Sequence, residues 1–142
     1  MKTLTTALAM LMAAATMNAQ DLASRPYFSN ASSYNNKDMT KISGAYLACL
    51  SSKNEGVVES ALAHVAMMKL EYPVGGYEAL KAKVAEISLK AESAEIRYKA
   101  FLTGAVLDEP TTFRAIASEN NGSVDELFSK VASKMNERLA AR

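Results

Sequence analysis

The sequence predicts an all-α fold, and three observations lead there. An internal repeat runs through the chain: Leu50 to Pro73 aligns without a gap on Ile87 to Pro110, an offset of 37 residues. Identical pairs include Ser51 with Ser88, Lys53 with Lys90, Glu55 with Glu92, Ala63 with Ala100, Leu70 with Leu107 and Pro73 with Pro110. Beyond Met39, apolar residues recur three and four apart, the period of an amphipathic helix. Prolines fall between these stretches and never inside them. A repeat of this length is one supersecondary unit that cannot bury its apolar face alone, so neighbouring copies must stack. The expected architecture is a short right-handed α-solenoid of five or six helices, stacked as antiparallel hairpins.

Residues 1–19 read as a secretory signal peptide. Lys2 gives the positive start, and Leu4 to Ala15 is an apolar run too short to span a bilayer. A cut after Ala19 leaves Gln20 first, and a cut after Ala15 is the alternative. Residues 20–38 are crowded with Asn and Ser, which compete with regular backbone pairing, so this stretch reads as a mostly unstructured polar linker. Tyr27 and Phe28 are its candidate anchors. The helical-repeat domain then takes residues 39–142, with hairpins at about 39–73 and 76–110 and a capping pair at about 111–140.

The first helix is expected from Met39 to Ser52 with Asp38 as N-cap, because Ile42, Ala45, Tyr46, Cys49 and Leu50 share one face. The second starts at Glu55 behind Asn54 and stops at Glu71, since Pro73 has no N–H to donate and restricts Tyr72. Val74-Gly75-Gly76 is the joint. The third helix spans Tyr77 to Leu89 on a stripe of Tyr77, Leu80, Val84 and Ile87. The fourth spans Ser93 to Asp108, and Pro110 ends it as Pro73 ended the second. A short helix is expected at Thr112 to Ser118. Asn120-Asn121-Gly122 is a turn, after which Ser123 and Glu126, in capping-box spacing, open the last helix.

Overlaying the second and fourth helices separates their faces. Val57/Ala94, Ala61/Tyr98, His64/Phe101, Val65/Leu102 and Met68/Ala105 form the expected core stripe. Ala63/Ala100, Ala66/Thr103, Met67/Gly104 and Leu70/Leu107 form a second stripe, small enough for a neighbouring helix to approach closely. On the third face Glu95 and Lys99 read as an exposed i,i+4 ion pair. Val58 and Leu62 occupy the matching positions in the first copy. They are expected to lie beneath the linker or, alternatively, on a contact surface for a partner protein.

The stretch from Gly56 to Pro73, repeated as Ser93 to Pro110, resembles HEAT-type helical hairpins of small exported bacterial proteins. The resemblance covers about Met39 to Pro110. It implies a protein-binding scaffold and carries no catalytic residue with it.

Composition narrows the function further. The full chain has 16 basic and 15 acidic residues, and Lys2 is the only charged residue in the signal segment. The exported chain is then neutral and lacks the basic footprint of a nucleic-acid binder. No later stretch is apolar for long enough to cross a membrane. Cys49 is the single cysteine, so no disulfide can form within one chain. It leaves a free thiol or a bond between chains. Together these features point to the periplasm or the exterior of a bacterium.

Signals for chemistry are sparse. His64, Met67 and Met68 place an imidazole and two thioethers at helical spacing, a set that suits a soft metal such as Cu(I). Met is also common core filler, and four of the eight methionines lie in the signal segment. No glycine-flanked serine elbow is present, and Gly75-Gly76 is not followed by the Lys-Ser or Lys-Thr of a phosphate loop. The expectation is a non-enzymatic interaction module that needs no cofactor. The alternative is a binding protein for a small apolar ligand or soft metal, for which the expected cavity is lined by His64, Met68, Phe101 and Leu102.

Overall fold

A computed structural model describes residues 36–119 and 123–141. The expected signal peptide and most of the linker lie outside the described residues. Among the described residues the chain forms six α-helices and no strand. They are α1 (Asn36–Leu50), α2 (Glu55–Glu71), α3 (Glu78–Lys90), α4 (Ala94–Asp108), α5 (Pro110–Ser118) and α6 (Val124–Ala140). None of them is long and apolar enough to cross a membrane.

Local chemistry explains most helix ends. Asn54 Oδ1 accepts from the N–H groups of Gly56 at 3.0 Å and Val57 at 3.4 Å, satisfying donors that helix α2 cannot. Ser93 Oγ accepts from Ile96 N at 3.3 Å, and Ser123 Oγ from Glu126 N at 3.1 Å, at the starts of α4 and α6. α1 begins three residues before the expected start. Asp38 therefore sits in its first turn, where a carboxylate favours the positive end of the helix dipole. α5 also starts early, with Pro110 as its first residue, a position that needs no N–H.

α2 is the centre of the domain. It touches α1, α4, α5 and α6. Nine of its 17 residues are buried, including Val58, Leu62, Val65, Met67 and Met68. A helix that is apolar all round must be covered all round. α1 packs on α3 while α2 packs on α4, so the two hairpins meet helix to matching helix. Matched positions share the core: Leu50 and Ile87, Ala63 and Ala100, Val65 and Leu102, Leu70 and Leu107 are all buried. The terminal pair behaves differently, because α5 and α6 both fold back onto α2 and α4.

The joint between hairpins is tightly held. Gly75 and Gly76 have φ of 73° and 68°, in the left-handed region where a side chain is strained. Buried Tyr77 reaches two carbonyl oxygens with its hydroxyl, Tyr72 O at 2.6 Å and Met68 O at 3.1 Å. Burial, with a further contribution from Tyr72, raises the pKa of this phenol well above its ordinary value. Lys69 Nζ donates to Pro73 O at 2.8 Å and lies 4.3 Å from the centre of the Tyr77 ring. Ser43 Oγ of α1 donates to Gly76 O at 3.2 Å. Tyr77→Phe should cost about 1 to 2 kcal/mol, because Tyr72 O loses the phenol as a donor while Met68 O keeps only its bond from Tyr72 N. A Tm lower by roughly 5 to 10 °C is the expected reading. An unchanged Tm would show that the hydroxyl contributes nothing.

Three expectations about faces are corrected. The expected core stripe is core only in part: Ala61, Val65, Met68 and Leu102 are buried, whereas Tyr98 and Phe101 stand 53% and 54% exposed, and the small-residue stripe is buried as well. Val58 and Leu62 are 7% and 0% exposed, so they form part of the core and offer no contact surface. Glu59, on the same side of α2, pairs with Lys99 of α4, which in turn pairs with Asp125 of α6. That side of α2 therefore faces α4 and α6. The third correction is Lys99 itself: its expected pair with Glu95 forms, but the lysine is buried.

Candidate functional site

The most site-like feature is a groove of about 410 Å³ between α3, α4 and α6. The periodicity of α4 builds one wall. Phe101, Gly104, Ala105 and Asp108 follow each other three, one and three residues apart and share one side of the helix. α3 supplies Lys81, Val84, Ala85 and Ser88, and α6 supplies Met135, Arg138 and Leu139. Phe113 of α5 closes part of the floor. Phe101 and Leu139 are large apolar side chains left mostly in water, at 54% and 65% exposed. The rim is charged but balanced: Lys81 pairs with Asp108, and Arg138 with Glu109. The groove offers apolar contact area and a polar edge.

A second cluster surrounds Lys99. Its ammonium meets three carboxylates from three helices: Glu59 of α2, Glu95 of α4 at 2.7 Å and Asp125 of α6 at 2.8 Å. It also lies 5.8 Å from the centre of the Phe128 ring. Burial is the largest single influence and lowers the lysine pKa. Hydrogen bonds to Asp125, Glu59 and Glu95, with the charge of Glu59, outweigh it and raise the pKa above the ordinary lysine value. The three carboxylates lie close enough together to suggest a cation site. Lys99 already supplies the positive charge among them, so the cluster is a clamp on three helices. The alignment held a signal for this: Lys99 falls on Leu62, an apolar position in the first copy.

Met67 and Met68 are core residues, while His64 is half-buried on α2. The His64 ring lies 6.0 Å from the Tyr46 ring, centre to centre, and its Nδ1 is 3.4 Å from Ser60 Oγ. Burial pushes its pKa down, and a hydrogen bond to the Ser60 backbone pulls it partly back. The imidazole is therefore neutral at pH 7. Cys49 is a half-buried free thiol on α1, packed against the core. Of the four residues expected around a ligand cavity, Met68 and Leu102 are buried in the core and Phe101 lines the groove with other partners.

No protein-family model, curated protein or solved structure matches the chain.

Proposed function

We propose that the protein is an exported, non-enzymatic interaction module made of HEAT-like stacked hairpins, and that it holds a partner protein at the α3–α4–α6 groove. The observation that carries this reading is that Phe101 and Leu139, both exposed, line one groove that has apolar walls and a charge-balanced rim. Scattered exposed apolar residues are ordinary, but an aromatic and a leucine lining one concave site have the make-up of binding anchors. The pairing of α1 with α3 and of α2 with α4 supports the stacked-hairpin part of the reading.

The test uses Phe101→Glu combined with Leu139→Glu. Both side chains are largely solvated, so stability should move by no more than about 1 kcal/mol. Losing an anchor pair of this kind should weaken partner capture from the host's envelope fraction at least about 30-fold. Undiminished capture by the folded variant would remove the groove from consideration.

One observation favours the ligand alternative. The volume of about 410 Å³ falls within the range of small-molecule sites. An apolar dye displaced by a small molecule, with no protein captured, would favour that reading.

A further inference from the structure

The rule of packing in the first two hairpins is like on like: α3 lies against α1, and α4 against α2. A third hairpin obeying that rule would lay its first helix along the free flank of α3. The chain does not do this, and the cause lies in a few residues. The two repeats leave their second helices in nearly the same conformation, with φ −128° and ψ 76° at Tyr72, and φ −133° and ψ 62° at Glu109. A proline follows each. They then diverge. Gly75 and Gly76, both left-handed, align on Thr112 and Phe113, for which that conformation is costly. The chain from α2 to α3 uses the six residues 72–77, whereas only Glu109 separates α4 from α5. With no return loop, α5 turns at once and packs on α2 and α4, so among the described residues no first helix of a third hairpin lies along the flank of α3, which shares a groove with the end of α6. That flank is the groove wall formed by Lys81, Val84, Ala85 and Ser88.

We propose that the groove is the vacant seat of this third helix and receives an amphipathic helix of a partner protein, laid along α3 as α3 lies along α1. This rests on the interaction-module reading and adds the form of the partner. The groove follows α3 from Lys81 to Ser88, a length of about 12 Å or two helical turns. One helix fills such a length with apolar residues at i, i+3 or i+4, and i+7. Its backbone can come close, because Ala85, Gly104 and Ala105 present almost no side chain there. Two ion pairs, Lys81 with Asp108 and Arg138 with Glu109, meet at the C-terminal end of α4, so the arriving helix carries polar residues of both signs where it passes that end.

The experiment is photocrosslinking of the full chain in its host. Phe101→p-benzoylphenylalanine and Leu139→p-benzoylphenylalanine are used as probes, with Lys53→p-benzoylphenylalanine outside the groove as control. Adducts are mapped by mass spectrometry. The expected result is that both groove probes mark a single segment of another protein, at residues three, four or seven apart. Adducts two residues apart would mean an extended strand and overturn the proposal. So would adducts confined to a second copy of this chain, or none above the control. If the double glutamate variant loses capture while adducts follow an extended pattern, only the helix proposal fails. If capture survives that variant, the groove reading fails with it.

Discussion

Lys99→Met should destabilise the domain by about 3 kcal/mol, although methionine keeps most of the aliphatic stem. Lys99 has a side chain only 7% exposed and is the one cation among three carboxylates. Breaking a buried ion pair from one side typically costs about 3 to 5 kcal/mol, because the partner charge stays uncompensated. The low end applies here. Glu95 and Asp125 are mostly exposed and can turn to water, leaving Glu59 as the carboxylate that suffers. By the same reasoning, Glu95→Gln and Asp125→Asn should each cost less than about 1 kcal/mol. The pH dependence has a definite sign. The folded-state pKa of Lys99 is raised, so its stabilisation is complete below about 10.4, the ordinary lysine value, and drains away as pH climbs above it. Urea melts at pH 8 should separate wild type from Lys99→Met by the full amount, and melts above pH 11 by less. A gap that stayed constant, or one below about 1 kcal/mol at pH 8, would show that the cluster does not clamp the helices.

Val58→Glu combined with Leu62→Lys should leave the chain unfolded at 25 °C. The double variant copies into α2 the residues that α4 carries at Glu95 and Lys99. In α4 that pair is tolerated because α2 and α6 contribute two further carboxylates and Glu95 faces water. In α2 both positions lie in the core. Bringing two charges there costs several kcal/mol each, even after relaxation. Whole domains are stable by only about 5 to 15 kcal/mol. Far-UV circular dichroism gives the answer. A helical spectrum with cooperative melting near the wild-type Tm would contradict the burial of these residues. Leu62→Ala is the milder control, with an expected loss of about 2 to 5 kcal/mol and the fold retained.

What could be read from the sequence was whatever is decided within a few residues. Asn54, Ser93 and Ser123 cap their helices with their own side chains, and Pro73 marks an end because it lacks an N–H. Such signals do not depend on the rest of the molecule. The start of α1 was less legible, since an asparagine suits a turn as well as a first helical turn. Faces were harder still. Tyr98 and Phe101 align with Ala61 and His64 and read as core, yet whether they meet water depends on where α5 goes. That depends on Thr112 and Phe113 standing where the first copy has two glycines. The substitution is visible in the alignment, but its effect is felt two helices away. The groove is therefore a consequence of topology and leaves no motif. Lys99 is a middle case: its match to Leu62 hinted at burial, while nothing local announced that Glu59 and Asp125 would meet it.

The return of α5 and α6 onto α2 has one more outcome. In an open array each unit touches only its neighbours, so the ends fray while the middle holds. Here the last helices lean on the first hairpin, and contacts far apart in sequence tie α5 and α6 to α2. Loss of the C-terminal helix would strip cover from α2, the helix at the centre of the domain. The domain should therefore come apart in one all-or-none step, and it cannot be shortened one unit at a time as an open array can.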